Sequence, residues 1–473
     1  MTNLSGTGLN NRRKVGPKGE GRDSPNNFSQ YPEYKDSGIQ WIGKVPSSWG
    51  LGRLKHLLRI RGGQDYKAVE SFEQTEFPVI GSGGQFTYAT DYLYEGESVL
   101  LGRKGTIDKP LYVNGKFWTV DTMFYTEVLP ITSGRYAYYA ATTIPFSLYS
   151  TSTALPSMSQ FDLANHALPL PTYQEQIQIA RFLDHETACI DALIEEQQRL
   201  IELLKEKRQA VISHAVTKGL DPNATMKDSG VEWLGEVPAH WKVVSLRYFV
   251  RTTKGFAFKS QDYRDEGVRM VRASDIKNKT ILESSVFLPI EFASTHRSVK
   301  LSEGDIVIST VGSNPDVVNS AVGQVGMVPP KLHGTLLNQN TVMLRPTDEV
   351  DRQYFMQVLS ATSYRKYLDL NAHGTANQSS LSLEEILDFK AAIPPLDEQL
   401  AIAENVLETN NLLTKLLEES EKQIGFLLER RSALISAAAT GKIDVRNWQP
   451  AQSKETEVAE DYAMVAESAA EYR

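Results

Sequence analysis

The 473-residue chain has one cysteine, Cys189, so no disulfide can form within it. A lone thiol argues for the reducing cytoplasm, and its place beside an apolar helical seam suits packing rather than nucleophilic chemistry. Long apolar runs are also missing: none approaches the ~20 residues that a membrane-spanning helix needs. The N-terminus has no apolar signal region. Residues 11–30 are rich in Arg, Lys, Gly, Pro, Ser and Asn, so residues 1–30 read as a disordered leader. Histidines are few and occur at no metal-ligand spacing, which argues against a metal site.

Catalytic motifs are scarce too. The pairs Gly43-Lys44, Gly115-Lys116 and Gly441-Lys442 lack the Ser/Thr and the preceding glycine of a phosphate-binding P-loop. Gly81-Ser82-Gly83-Gly84 lacks the full dinucleotide fingerprint and a long helix after it, and is expected to be a tight loop. Asn314-Pro315-Asp316-Val317 lacks the second proline and the aromatic of an amino-methyltransferase motif and reads as a turn. The acids Asp262 and Asp265 have no lysine and glutamate in nuclease-like order, which leaves them as surface charge. No catalytic residue is therefore assigned to this chain. The net charge of −8 weighs against a nucleic-acid partner only at first sight. Much of it lies in the helical segments described next and in an acidic tail, residues 447–473, where six acids oppose two bases after Trp448.

What the chain does have is repetition. Residues 174–218 and 397–441 align without a gap at an offset of 223, opening on Glu-Gln-x-x-Ile-Ala and carrying E-x-R-x-A-x-I-S near the end. Both copies lack proline and are rich in Leu, Glu, Lys and Gln, so two long helices are predicted. Leu183, Ile190, Leu204 and Val211 stand seven or fourteen apart, with Leu193 and Leu200 at the second seam position. The second copy places Val406, Leu413, Leu427 and Leu434 likewise, with Leu416 at the second position. Gln197 and Ser420 interrupt the two seams near their midpoints, and antiparallel pairing is expected to bring them together as a register mark.

A second repeat precedes each helix. KDSGIQWIGKVPSSW at 35–49 and KDSGVEWLGEVPAHW at 227–241 are offset by 192 and hold four of the six tryptophans: Trp41, Trp49, Trp233 and Trp241. Asp-Ser-Gly supplies turn chemistry and the proline breaks the chain before the second Trp, as in a packed aromatic corner. The offsets differ by 31 residues, so the second intervening region is longer. Flanks that stay alike around interiors that diverge suggest one kind of partner and two different targets.

Both interiors carry short β-type runs broken by Gly, Asp and Asn. In the first, strands are expected at 77–80, 98–101, 110–113 and 117–120, with a helix over 135–149. In the second, strands are expected at 268–272, 305–308, 322–325 and 341–344, with a helix over 354–369. Their loops combine Arg, Lys, Asn, Gln and Ser with small residues, which suits phosphate and base-edge contacts. The candidates are Ser82, Gln85, Tyr88, Arg103, Lys104 and Ser157 in the first interior. In the second they are Lys254, Lys259, Arg272, Ser274, Asn278, Lys279, Asn338, Gln339, Asn340 and Gln378.

Together, D-S-G-x-x-W-x-G-x-V-P-x-x-W, P-L-P-x-x-x-E-Q-x-x-I-A and the twin helices resemble the specificity subunit of type I restriction-modification enzymes over about residues 31–448. Arg103-Lys-Gly-Thr-Ile107 and Leu155-Pro-Ser-Met-Ser-Gln160 are similar to one class of its target-recognition domains. Gly374-Thr-Ala-Asn-Gln378 with Ser382 and Glu384, leading into Pro394-Pro395, is similar to the end of another. The resemblance implies an α+β fold with two globular target-recognition domains joined by two long helices in an intramolecular antiparallel coiled coil, pseudo-twofold symmetric.

The matching boundaries are 31–170 and 223–393 for those domains, and 171–222 and 394–446 for the helices. The resemblance also implies that each domain reads one half of a bipartite, asymmetric double-stranded DNA site, with the coiled coil as spacer. Catalysis would lie elsewhere, in two methylation subunits holding S-adenosylmethionine and in restriction–translocation subunits using ATP and Mg2+. The competing reading is a coiled-coil adaptor with two ligand-binding modules and no DNA.

Overall fold

The computed structural model describes residues 28–72, 77–146, 149, 157–312, 321–375 and 378–450. The leader up to residue 27, the tail beyond residue 450 and the turn expected at 314–317 lie outside the described residues. The chain forms two compact units, Met1–Gln197 with Gln423–Arg473, and Gln198–Lys422. The division thus cuts through both long helices instead of separating helices from domains.

The first unit is built on a seven-stranded sheet. Its strand order is Leu58–Gly62, Met123–Val128, Tyr94–Gly102, Leu111–Thr119, Phe77–Gly81, Gly84–Ala89 and Glu70–Ser71. The strands expected at 110–113 and 117–120 are one strand, because Asn114 and Gly115 stay in register opposite Glu97 and Gly96. The helix Gly134–Thr142 covers one face with the buried Tyr136, Ala137, Tyr139 and Ala140. It stops seven residues short of the expected end: β-branched Thr142, Thr143 and Ile144 lead into Pro145, which disfavours helix before it.

The second unit has a six-stranded sheet ordered Val250–Lys254, Thr341–Pro346, Ile306–Ser309, Val325–Met327, Thr280–Ile281 and Ile276–Lys277. Beside it lies a three-stranded sheet of Phe287–Leu288, Val268–Val271 and Leu336–Leu337. The single helix expected over 354–369 is two, Arg352–Ser360 and Thr362–Asn371, with Ala361 extended between them at φ −68 and ψ 145. Ser360, Thr362 and Ser363 are weak helix formers that compete for backbone hydrogen bonds, so the break falls there.

The long helices run Tyr173–Lys218 and Leu396–Ala439. They are antiparallel within each unit. In the first, Ile179, Leu183 and Ile190 share a core with Leu434, Ile435 and Ala438. In the second, Ile212, Ala215 and Val216 share one with Ile402, Ala403 and Val406. The expected first seam row is covered: Leu183, Ile190, Leu204, Val406, Leu413 and Leu434 are buried, and Val211 and Leu427 half-buried. Ser420 is buried and Gln197 half-buried.

The second row needs correcting. Leu193, Leu200 and Leu416 are exposed, at 48%, 41% and 45%, while the next residues, Ile194, Ile201 and Leu417, turn inward. Each site is an apolar doublet, and a step of three or of four from the first row fits a heptad equally well. The step taken is four.

The entry motifs form matching two-stranded ribbons, Tyr34–Asp36 with Lys44–Pro46 and Met226–Asp228 with Glu236–Pro238, in equivalent register. Each positions a fully buried tryptophan whose Nε1 donates to the first glutamate of a long helix. Trp49 bonds Glu175 at 3.0 Å and Trp241 bonds Glu398 at 2.9 Å. The following glutamine is tied as well: Gln176 Nε2 donates to Pro171 O and Gln399 Nε2 to Pro394 O, at 3.2 and 2.9 Å. Gln176 and Gln399 in turn accept from the backbone N–H groups of Ser133 and Asp351. Glu-Gln is therefore a clamp joining helix start, proline lead-in and domain helix.

Helix ends close the same frame. Gly219 sits against Trp241, and Gly441 against Pro46 and Trp49, both with φ near +75. A Cβ at Gly441 would lie 2.4 Å from Pro46 Cδ, so glycine is required there. In the first unit, the end of the second helix thereby meets the beginning of the chain, where the Asp444 N–H donates to Ser29 O at 2.7 Å.

Candidate nucleic-acid interface

In the first unit the sheet edge ends in a cleft of ≈540 Å³ lined by Arg103, Lys104, Ser157, Gln160, Tyr149 and Asp162, among others. The turn holding the two cations is fixed by its backbone. The N–H groups of Arg103 and Lys104 both donate to Thr122 O, at 2.9 and 3.2 Å, and Met158 N–H donates to Arg103 O at 3.0 Å. Lys104 also bridges to Ser157 in antiparallel fashion. The side chains are left outside: both cations are exposed, Arg103 spanning the Phe124 ring and donating to Asp121 O at 3.3 Å.

Charge pairing separates these two from their neighbours. Arg59 and Arg61 both bind Glu127, at 3.1 and 2.8 Å, and the Arg61 hydrogen bond holds the Glu127 carboxyl below its usual range. Among the described residues no acid pairs with Arg103 or Lys104, so their charge is available to an anionic partner. Gln160, which also lines the cleft, donates to Ile60 O at 3.0 Å. It stands directly after Ser157-Met158-Ser159, at the start of the helix Gln160–Asn165.

Ser82, Gln85 and Tyr88 do not line this cleft. They belong to the hairpin of Phe77–Gly81 and Gly84–Ala89, separated from Tyr94–Gly102 by the strand Leu111–Thr119. Gln85 is exposed, and Ser82 and Tyr88 are half-buried.

In the second unit several candidates converge at one end of the sheets. Lys254 closes the strand Val250–Lys254, and the next residue, Gly255, donates to Thr341 O at 3.0 Å. A Cβ on Gly255 would stand 1.9 Å from Asn338 O, so this close approach demands glycine. Asn338 N–H donates to Val271 O, which places Arg272 and Ser274 beside the Asn338-Gln339-Asn340 turn. Lys254, Ser274, Gln339 and Asn340 are exposed. Lys259 is exposed too, at the start of a short 3-10 helix, and has no acid partner among the described residues.

Two candidates are engaged internally. Asn338 is 6% exposed: its Oδ1 accepts from Asn340 N–H and its backbone oxygen from Thr341, so it builds the turn instead of projecting from it. Arg272 folds back on Asp275, with Nε and Nη2 3.3 and 3.2 Å from its carboxylate oxygens, and its charge is neutralised. Asn278 and Lys279 form the turn between Ile276–Lys277 and Thr280–Ile281, at φ 51 and 63. Asn278 is exposed, whereas Lys279 is half-buried near the first long helix. Gln378 begins the strand Gln378–Ser380, and its side chain lies outside the described residues.

Among the described residues no group of His, Cys, Asp and Glu could hold a metal ion, and no helix is long and apolar enough to cross a membrane. The outcome is two sheet ends, each carrying exposed cations and amides, on frames built from the same contacts.

Comparison with known proteins agrees with this organisation. The family model for the type I restriction modification DNA specificity domain matches the chain twice, at residues 46–204 and 238–424. The type I restriction enzyme MjaVIII specificity subunit of Methanocaldococcus jannaschii is 24% identical over 419 residues, covering 85% of this chain and 95% of that one. The EcoBI specificity subunit of Escherichia coli is 22% identical over 422 residues, covering 84% and 86%. A solved structure addressing complex assembly and conformational transition of the type I R-M system aligns with a TM-score of 0.58 at 15% identity, covering 83% of this chain and 98% of that one. At that identity the likeness is one of fold.

Proposed function

The chain belongs to the type I restriction modification DNA specificity family, and from that premise we propose that its two units each read one half of a bipartite, asymmetric duplex site. The observation that carries this reading is the repeated frame around unlike interiors. Trp49–Glu175 and Trp241–Glu398 are the same contact, yet one frame holds a seven-stranded sheet and the other a six-stranded sheet with a smaller one beside it. A constant frame serves a repeated partner, and a changed interior serves a changed sequence.

In the first unit, Arg103 and Lys104 supply cationic contacts beside Ser157 and Gln160. In the second, Lys254 and Lys259 contact backbone phosphate, while Gln339 and Asn340 present amides to base edges. The length of the two helices fixes the number of unread base pairs between the half-sites.

The chain works as a non-catalytic cytoplasmic subunit. Methyl transfer from S-adenosylmethionine belongs to two methylation subunits, and ATP- and Mg2+-dependent restriction to further partners. The helices suit such partners, since Leu193, Leu200 and Leu203 on the first and Leu407, Leu412 and Leu416 on the second are exposed. Large apolar side chains left on a helix surface favour protein contact.

The test is methylated-motif sequencing of genomic DNA with and without this gene, and with residues 50–168 exchanged for another family interior. The expected result is a gene-dependent bipartite motif in which the exchange rewrites one half alone. A motif unchanged by the exchange would falsify the assignment.

A further inference from the structure

The repeat runs past the entry motifs into the interiors, where the backbone keeps it although the side chains do not. Strands Leu58–Gly62 and Val250–Lys254 stand at the same offset of 192, and a glycine follows each. Gly63 N–H donates to Met123 O and Gly255 N–H to Thr341 O, both at 3.0 Å. A Cβ on Gly63 would lie 2.1 Å from Val120 O, and one on Gly255 1.9 Å from Asn338 O. Only glycine fits either place, so both chains pass it along one path. The next residue is held likewise: Gln64 N–H donates to Thr119 O at 3.0 Å, and Phe256 N–H to Leu337 O at 2.9 Å.

The turn opposite, residues 120–123 in one unit and 338–341 in the other, repeats too. Met123 N–H donates to Val120 O and Thr341 N–H to Asn338 O, at 3.0 and 3.1 Å. Arg103 N–H reaches Thr122 O as Thr310 N–H reaches Asn340 O, each at 2.9 Å. Lys104 bridges to Ser157 as Val311 pairs with Ser380. The cleft end of the first sheet and the Lys254 end of the second therefore share one backbone.

At this shared place the side chains differ. Gly62, which lines the first cleft, has the exposed Lys254 as its counterpart, and Gln64 has Phe256. Gln64 is exposed and Phe256 is 47% exposed. Their backbone oxygens are fixed as well, Gln64 O accepting from Trp118 Nε1 at 3.2 Å and Phe256 O from Phe258 N–H at 3.1 Å. Phe258 and His296 brace the Phe256 ring, with centroids 5.0 and 4.6 Å away. A side chain on so rigid a support is pre-organised for contact.

We propose that Gln64 and Phe256 are equivalent base-reading residues of the two units, Gln64 for an adenine edge and Phe256 for a thymine methyl. The assignment rests on the duplex-reading function proposed above. An amide offers one donor and one acceptor, which match N7 and N6 of adenine in the major groove. A phenyl ring offers neither and suits the thymine C5-methyl. One backbone position that carries an amide in one unit and a ring in the other gives two half-sites different letters.

The test is binding selection from a randomised duplex library by the full chain with its methylation partner. Wild type is expected to select an adenine in one half-site and a thymine in the other at the positions these residues contact. Gln64→Glu keeps the size of the side chain but only accepts, so its preference should move from adenine toward cytosine in that half alone. Phe256→Gln should lose the thymine preference in the other half alone. Discrimination at the adenine is expected to fall roughly 5- to 150-fold.

Base analogues probe the same contacts with wild-type protein, whatever the variants do to folding. Replacing that adenine by 7-deazaadenine should weaken wild type and leave Gln64→Glu unaffected. Deoxyuridine in place of the thymine should weaken wild type about fourfold, the worth of one buried methyl, and leave Phe256→Gln unaffected. Variants that keep every wild-type preference overturn the proposal while the duplex-reading function stands. So does a wild type indifferent to both analogues at every adenine and thymine of its site. A wild type that selects no sequence overturns the duplex-reading function and this assignment together.

Discussion

Arg431 of the second long helix grips Asp191 of the first, Nε and Nη2 standing 2.8 and 3.2 Å from its two carboxylate oxygens. The same pair of positions in the other unit holds Arg208 and Thr414, joined by one bond of 2.7 Å. The pair is partly exposed, so its contribution is modest, about 0.5–1 kcal/mol for a well-aligned bidentate contact. Asp191→Thr, which copies the second unit into the first, is expected to lower stability by that amount in urea unfolding. Lys at 431 should not restore a wild-type value, since an ammonium cannot reproduce the fork.

Glu175 is the acceptor for Trp49 Nε1 and also for the N–H and hydroxyl of Thr172, at 3.2 and 2.8 Å. Glu175→Ala strands a buried indole N–H and uncaps the helix, and should destabilise by about 2–3 kcal/mol. Trp49→Phe removes the donor but leaves the Thr172 contacts, and its loss comes mainly from packing. Glu398→Ala is expected to behave like Glu175→Ala, because Glu398 accepts from Trp241 at 2.9 Å and contacts His240 at 2.6 Å. A Glu175→Ala chain as stable as wild type would show that the clamp does not hold the frame.

His166 is buried under the stacked Trp41 ring, with Nδ1 2.7 Å from the Tyr149 hydroxyl, and burial pushes its pKa down to about 4. In the unfolded chain it titrates near about 6.5. Its neutral form thus supports the fold above pH ~6.5, and that support is lost as pH falls toward the folded value, where the unfolded chain binds the extra proton. Melting curves between pH 7 and 4 should fall more steeply for wild type than for His166→Asn. Parallel curves would refute the assignment.

Among the described residues Arg103 and Lys104, which line the first cleft, have no acid partner. Arg103→Ala should relax base preference in one half-site, by about 1–3 kcal/mol if it contacts a guanine, and leave the other half untouched. Lys104→Ala should instead weaken binding to all sequences alike and reduce the salt slope by about 0.9. Asn340→Ala is expected to affect the other half-site only. Binding selection from a randomised duplex library reads all three.

Leu193 and Leu416 point to solvent from the long helices. Replacing each by Glu should lower the melting temperature of the isolated chain only slightly, since they are already 48% and 45% exposed. Co-purification with the methylation partner should fall sharply. Intact assembly of the double variant would remove these positions from the partner surface.

The frame was legible in the sequence because it is written twice. A side chain bonded to the same kind of partner in both units keeps its identity at a fixed offset, as Trp49 and Trp241 do, whereas buried seam positions keep only apolar character, as Leu183 and Val406 do. The helices likewise show in their apolar period: the repeated segments 174–218 and 397–441 end within two residues of Tyr173–Lys218 and Leu396–Ala439, while the wider bounds 171–222 and 394–446 run past them.

Less of the interface was legible. Composition drew attention to Arg103, Lys104 and Lys254, yet it also selected Asn338, whose amide is spent inside its own turn, and Arg272, whose charge is spent on Asp275. Exposed and engaged side chains have the same letters.

The sequence by itself therefore determined the duplicated architecture, the two long helices and the family. These depend on period and repetition, which are properties of order along the chain. Only the tertiary structure decided that Ile194, Ile201 and Leu417 face inward in place of Leu193, Leu200 and Leu416. A heptad step of three or four is degenerate at an apolar doublet until a partner helix packs against it. The structure also decided that Trp49 meets Glu175 across 126 residues and that Lys279 shares a cavity with Gln209 of the first long helix. Such encounters leave no local mark, because the energy that selects them exists only after the chain has folded.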